Sequence, residues 1–232
     1  MKYCISDLHL SPDEPHITEA FLHFLNYVAP HAEALYILGD FFEYYIGDDD
    51  QNPFIQSIID ALKQFTQTGF PVYLMHGNRD FLIGKTFAKM AGVTLISDPA
   101  FITINNKKIL LMHGDSLCTT DIQHQRFRKI TQKKWIQKLF LSLPLSFRRT
   151  LADAIRKDSM KKNHNKSMAM MDVTQSAVDL MLQTHQADKL IHGHTHRPMM
   201  TEKRIVLGSW ETQPNYLKIE DDGNIEWIVL EQ

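Results

Sequence analysis

"IHGHTHRP", residues 191–198, places His192, His194 and His196 at alternate positions, just as a short apolar run, "KLIH" (189–192), comes to its end. In an extended chain every second side chain shares a face. His194 and His196 therefore present two imidazoles to one side of the segment. A strand that stops in paired ligands predicts an open α/β sheet, because in such folds ligands collect at the carboxyl ends of the strands. That reading requires other strands to end in the same way.

They do. "YCIS" (3–6) runs into Asp7 and His9, again two apart, and "LYIL" (35–38) runs into Gly39 and Asp40. "VYLM" (72–75) leads to "HGNRD", which offers Asn78, and the strand ending at "HGD" offers His113. Helical patterns lie between these strands. Residues 16–29 put Ile17, Phe21, Phe24 and Val28 on one face, and residues 54–67 form a second pattern stopped by Gly69 and Pro71. This alternation predicts a mostly parallel α/β core. "VTLI" (93–96) reads as a further buried strand, and "FITINNKKILLMHG" as a hairpin turning at Asn105-Asn106. Strands resume at 204–208, 215–219 and 225–230.

Asp7, His9, Asp40, Asn78, His113, His194 and His196 are more ligands than one ion needs. Carboxylate, imidazole and amide oxygen together suit borderline divalent ions such as Mn²⁺, Fe²⁺ or Zn²⁺. Two ions sharing one carboxylate would use the whole set, and such pairs serve phosphoester hydrolysis.

The bulk properties frame this site. A length of 232 residues, 44 % hydrophobic and 22 % charged, fits one globular domain. Two distant cysteines, Cys4 and Cys118, predict a reducing compartment without a disulfide. No leader pattern and no run of 18 apolar residues are present, so a cytoplasmic location is expected. The net charge of −2 hides an asymmetry: residues 124–166 hold 13 Lys and Arg against Asp153 and Asp158 alone. Residues 121–186 read as almost wholly helical, broken near Pro144. The basic part, 121–166, reads as an insertion within a single domain spanning 1–232. Trp135, Leu139, Phe140, Leu143 and Phe147 lie among its cations. That mixture suits a membrane-surface helix or an acyl-chain groove, with Lys133, Lys134, Arg148 and Arg149 meeting headgroups.

The ordered pattern D-x-H, GD, GN, H, GHxH across residues 7–196 resembles the calcineurin-like metallophosphoesterase family. The resemblance implies a four-layer α/β/β/α sandwich, here with a helical lid, around two divalent ions, Mn²⁺ being expected. One ion would take Asp7, His9, Asp40 and His196, and the other Asp40, Asn78, His113 and His194. Asp40, Asn78, Arg79 and His113 would be catalytic. The words "IGDDDQNP", "HGNRDFLIGK", "MHGDSLCT" and "HGHTHRP" are similar to a branch of the family that acts in lipid A biosynthesis. That likeness implies a nucleotide-linked diacyl sugar as substrate, cleaved to UMP and a diacyl sugar 1-phosphate by attack of a metal-bound hydroxide on the α phosphorus. It implies substrate contacts at Asn78, Arg79, Asp121, Ser159, Asn163, Lys166 and His194. It also implies peripheral attachment to the anionic inner membrane, with no nucleic acid and no obligate protein partner. One departure matters: most of the family reads "GNH" where this chain reads "GNR". Arg79 cannot donate a proton near neutral pH but can grip phosphate bidentately, which fits a leaving group that is itself a phosphate.

The remaining candidates read more plainly. His76 and His192 read as core, and His16, His23, His31, His124, His164 and His185 as surface or helix residues. "DDD" (48–50) lacks the spaced acids and closing Glu of a calcium loop and reads as solvated. Asp115 would either orient His113 or cap a turn. Cys118 has no relay partner in the sequence that would make it a nucleophile. A metal-dependent nuclease, gripping a strand with the basic insertion, is the alternative enzyme.

Overall fold

The computed structural model describes residues 1–164 and 172–230; the side chains of 160–164 lie outside that description. Four parallel strands, β1 (Lys2–Ile5), β2 (Ala34–Leu38), β3 (Val72–Met75) and β4 (Thr94–Ile96), follow one another in a first sheet. Crossover segments return the chain in one direction, which is what makes these neighbours parallel. β10 (Asn215–Ile219) and β11 (Ile225–Val229) extend that sheet beyond β1 in antiparallel fashion. The second sheet has the order β5 (Ala100–Ile104), β6 (Lys107–Met112), β7 (Lys189–His192), β9 (Arg204–Val206), β8 (Met199–Met200). Within it, β6, β7 and β9 are parallel.

Side-chain alternation stacks these sheets. On β2, Leu35 and Ile37 join the cluster under the helices, while Leu38 joins Cys4, Met75, Leu111, Ile191 and Ile205 between the sheets. A strand covered on both faces carries no polar alternation, which is why "LYIL" is apolar throughout. α1 (Pro15–His23), α2 (Pro53–Thr66) and α3 (Lys85–Ala91) cover the first sheet through Ile17, Phe21, Ile58, Leu62 and Phe87. α7 (Gln175–His185) covers the second through Val178 and Leu182. The result is the expected α/β/β/α order of layers.

Local details depart from the sequence reading. The helix expected over 16–29 ends at His23 and continues as a π turn (Phe24–Val28) and a 3₁₀ turn (Ala29–His31), since Pro30 cannot extend an α-helix. "VTLI" forms the edge strand β4, with Thr94 exposed and Leu95 and Ile96 half-buried. α3 and β8 are too short to declare themselves by periodicity. The hairpin turns at Asn105 (φ 47°) and Asn106 (φ 60°), both left-handed as a two-residue type I′ turn requires.

Residues 122–164 form α4 (Ile122–Thr131), α5 (Lys134–Leu141) and α6 (Leu145–His164). Neither α4 nor α5 buries a residue fully. The segment is held instead by α6. Arg148, 1 % exposed, donates to Ile46 O at 2.7 Å and Leu143 O at 3.0 Å and pairs with Asp49. Arg149 pairs with Asp50 at 2.6 Å. Asp48 accepts the amides of Gly84 (2.8 Å) and Thr86 (2.9 Å) where α3 begins. "DDD" is therefore not a solvated loop but a three-way clamp. Arg148 is buried against Asp49 and two carbonyls and cannot reach a lipid headgroup, whereas Arg149 pairs with Asp50 from a half-exposed position.

Candidate active site

The loops that leave β1 and β2 are zipped together. Asp7 N donates to Gly39 O (3.1 Å), His9 N to Asp40 O (3.0 Å) and Leu10 N to Phe41 O (2.9 Å). Buried Asp80 accepts from the amides of Phe41 and Gly77, each at 2.7 Å, and so locks the Asn78 turn against the Asp40 loop. Asp7, His9, Asp40, His194 and His196 all have positive φ, between 48° and 67°. They account for five of the eight non-glycine residues in that condition among the described residues. Each costs on the order of 1 kcal/mol or more, so backbone strain is concentrated here. Close approach adds a second constraint: a Cβ on Gly77 would meet Asp40 Oδ1 at 2.1 Å, and one on Gly193 would meet Asp7 Oδ2 at 2.1 Å.

Six of the seven ligand-type residues gather in two groups, Asp7/His9/His196 and Asp40/His113/His194, the ligand atoms of each lying within 4.8 Å of one another. The seventh, Asn78, turns Oδ1 to His113 Nε2 at 3.0 Å. Asp40 Oδ2 lies 3.9 Å from His9 Nε2 and 3.6 Å from His113 Nε2, between the groups, while its Oδ1 accepts from Arg79 N at 2.9 Å. His9 Nδ1 is bonded to Glu43 (2.8 Å) and His113 Nδ1 to Leu38 O (3.0 Å), which leaves each Nε2 turned inward.

The unsatisfied atoms fit divalent ions. Asp7 Oδ1 is buried without a close hydrogen-bond partner, His196 Nε2 lying 3.4 Å away, and His9 Nε2 faces His196 Nε2 at 3.3 Å, two imidazole nitrogens aimed at one point. Burial opposes protonation of His113, yet the Asp40 and Asp7 carboxylates raise it to about 9. Burial likewise opposes ionisation of Asp7, but His196, His113 and His9 hold it well below the usual carboxylate range. A field that raises His113 in spite of its burial also favours a bound cation in the same place, while burial and the neighbouring His113 lower His194, which keeps that imidazole neutral as a ligand must be.

Beside these groups opens a cavity of about 300 Å³ between the core loops and the helical segment. Phe81, Phe127, Ile136, Phe140 and Ile155 make its apolar wall; Asn78, Arg79, His124, Arg156 and Ser159 make its polar end. Of the residues for which the sequence leads one to expect substrate contacts, Asn78, Arg79 and Ser159 line this cavity. Asp121 caps α4, accepting from His124 N at 3.0 Å. The side chain of Asn163 and the whole of Lys166 lie outside the description. A larger cleft of about 900 Å³ lies at the opposite end of the second sheet, among Lys107, Asp188 and Lys203, remote from every ligand-type residue.

Several residues take places that the sequence pattern does not reveal. His124, which reads as a surface residue, lies against His194 with ring centroids 5.3 Å and planes 33° apart, since the start of α4 folds over the crevice. Asp115 does not orient His113; it pairs with Arg128 at 2.7 Å. His192 stays in the core, where burial lowers it to about 4, and His76 is bonded to Ile83 O at 2.7 Å. Burial also pushes the Cys118 thiol up to about 12, which removes it as a nucleophile. Glu43, joined to His9, Arg79 and Arg156, went unread; its one signal was a lone acid inside "FFEYY".

The chain belongs to the calcineurin-like phosphoesterase family, whose pattern matches residues 3–198, and it is accordingly a metal-dependent hydrolase that works with divalent ions. Among curated proteins it is 50 % identical over 230 residues to the UDP-2,3-diacylglucosamine hydrolase of Coxiella burnetii (strain Dugway 5J108-111), covering 96 % of this chain and 94 % of that one. The protein of the same name from Aeromonas hydrophila subsp. hydrophila is 48 % identical, covering 92 % of each chain. That from Escherichia coli O7:K1 is 47 % identical, covering 94 % of each.

Proposed function

We propose that this chain hydrolyses the pyrophosphate bond of UDP-2,3-diacylglucosamine, giving UMP and 2,3-diacylglucosamine 1-phosphate for lipid A biosynthesis. One observation carries the reading: a crevice of ion ligands opens directly onto an apolar cavity, with two guanidinium groups at the junction. A substrate with a diphosphate at one end and acyl chains at the other matches that order of surfaces.

Asp7, His9, Asp40 and His196 would hold one ion, and Asp40, Asn78, His113 and His194 the other, with Mn²⁺ suiting this donor mixture. Such ions, when bound, lower the pKa of water and neutralise phosphate charge. Asp40 then acts as the shared carboxylate, Asn78 and His194 also approach the phosphates, and Arg79 offsets charge on the leaving group without donating a proton. That suits a sugar phosphate departing after attack on the α phosphorus. Asp121, Ser159, Asn163 and Lys166 complete the proposed substrate contacts, Asp121 from the helix start that it caps.

Residues 121–166 act, in this reading, as a lid inserted in a single domain, 1–232. Phe140 faces the acyl chains, whereas exposed Trp135, Leu139 and Phe147, with Lys133 and Lys134, meet an anionic membrane surface from the cytoplasmic side. No described helix is long and apolar enough to cross a membrane, so that contact would be peripheral. The apolar wall favours lipid chains over a nucleic acid strand.

Turnover of UDP-2,3-diacylglucosamine in ¹⁸O-labelled water tests the proposal. Label is expected in UMP. Label in the sugar phosphate would reverse the direction of attack, and DNA cleavage without sugar-nucleotide turnover would restore the nuclease alternative.

A further inference from the structure

Glu43 is the point at which the crevice, the core loops and the helical segment share one carboxylate. It is 7 % exposed, and its amide donates to Leu10 O at 3.1 Å, so the backbone beneath it is fixed. Oε2 accepts from His9 Nδ1 at 2.8 Å. Oε1 accepts from two guanidinium groups, Arg79 Nη1 and Arg156 Nε, each at 2.9 Å. Arg79 comes from the loop after β3 and Arg156 from α6, and both line the 300 Å³ cavity.

Glu43, His9 and exposed Glu211 also have the spacing of a further cation site. Two arginines on the same carboxylate make that reading untenable, because they supply the positive charge an ion would bring. The chemistry points the other way, toward an anion. Each guanidinium has five N–H donors; Glu43 uses one from each, Arg156 Nη1 also lies 3.9 Å from Asp13 Oδ2, and both groups line the cavity with donors to spare.

We infer that Glu43 is a positioning residue for the proposed reaction: it fixes Arg79 and Arg156 as a paired fork for the substrate's phosphates, and with its other oxygen holds His9 with Nε2 toward the ion crevice. This rests on the reading that the substrate carries a diphosphate. Immobilising a long side chain on binding costs between about twofold and tenfold in affinity, and Glu43 has the two arginines ordered beforehand. A competing effect has the opposite sign. Removing the carboxylate makes the cavity mouth more positive, which by charge alone would tighten anion binding.

Glu43→Gln separates the two effects. The glutamine carbonyl can still accept from His9, but its amide nitrogen cannot accept from a guanidinium. The KM for UDP-2,3-diacylglucosamine should rise about tenfold, more than any fall in kcat. The inhibition constant of inorganic phosphate, measured on cleavage of bis(p-nitrophenyl) phosphate, should rise in parallel. Calorimetric Mn²⁺ affinity should move less than about threefold in Glu43→Gln, but fall on the order of ten- to a hundredfold in Glu43→Ala, where His9 loses its partner. In an Arg79→Ala/Arg156→Ala background, Glu43→Gln should change the phosphate constant less than about twofold. Tighter phosphate binding by Glu43→Gln overturns the inference, as does a full tenfold effect in the double-arginine background. So does a fall in melting temperature that tracks the KM rise across the Gln and Ala variants. Failure of the wild type to turn over UDP-2,3-diacylglucosamine would sink the substrate proposal alone, since the phosphate and Mn²⁺ measurements decide the role of Glu43 without it.

Discussion

At the strand ends Asp7, His9, Asp40 and His113 are each at most 3 % exposed, whereas across the cavity α4 and α5 bury nothing fully and leave Trp135 and Leu139 about 60 % exposed. The crevice draws its rigidity from two sheets and from loops zipped by backbone hydrogen bonds, and that rigidity sustains five left-handed non-glycine residues. The helical segment has no sheet beneath it. It is anchored by ion pairs: Arg148 and Arg149 to the acidic loop, Arg156 to Glu43 and Arg128 to Asp115. Strain is affordable only where surrounding packing over-determines the backbone, so a site needing fixed geometry sits on the strands and a surface meeting variable chains sits on the helices.

The sharpest way to break this comparison is at its most rigid point. Asp40→Asn keeps the shape but removes the charge between the two ligand groups, and should lower kcat/KM by at least about a hundredfold. Wild-type enzyme stripped by a chelator should lose activity and regain it with Mn²⁺. Full activity after exhaustive chelation would overturn the two-ion reading.

The clamp comes next. Arg148→Ala removes the buried end of the Asp49 pair and leaves two backbone carbonyls without a donor. Loss of a fully buried partner costs about 3–5 kcal/mol, but Asp49 is 61 % exposed, so about 2 kcal/mol is expected. That corresponds to a melting-temperature fall of roughly 4–8 °C, with faster proteolysis in residues 122–159 and unchanged Mn²⁺ binding. Proteolysis no faster than in the wild type would show that the segment is held by something other than α6.

Within the segment, inward and outward residues should part company. Phe140→Ser should lower kcat/KM on the diacyl substrate about tenfold, from roughly 25 cal/mol per Å² of lost apolar contact, and leave bis(p-nitrophenyl) phosphate cleavage nearly unchanged. Phe147→Ser, and Lys133→Gln with Lys134→Gln, should spare catalysis in detergent. They should weaken binding to anionic vesicles, by about 1 kcal/mol per lysine at low salt and less as salt rises. Equal losses on both substrates for Phe140→Ser would reduce the segment to structural support.

The smallest effect is expected at the thiols. Burial pushes Cys4 and Cys118 up to about 12 from an ordinary value near 9. The folded state therefore favours the protonated thiol. The stabilisation is complete below about pH 9 and is lost as pH rises from there toward 12. Native protein should resist a thiol reagent at pH 8 and react fully once unfolded. Fast native labelling of either cysteine would show that the surrounding layer opens.

The residue pairs that converge on the crevice were legible because they obey short-range rules. Asp7 with His9, and His194 with His196, are two apart at the ends of apolar runs, and the period of an extended chain puts each pair on one side without knowledge of the rest. The hairpin at Asn105-Asn106 was legible for the same reason, as a local left-handed preference. Glu43, Asp80, His124 and Arg148 obey no such rule. Glu43 acquires its meaning from Arg156, 113 positions away, and Arg148 from Asp49, 99 positions away. His124 looked like a surface residue until the start of α4 folded over His194. The charge of 121–166 was visible in the sequence, but not which of its cations would be consumed by acids elsewhere. Periodicity fixes which way a side chain points on its own element, while burial and ion pairing depend on what the rest of the chain brings opposite it, and only the packed layers decide that.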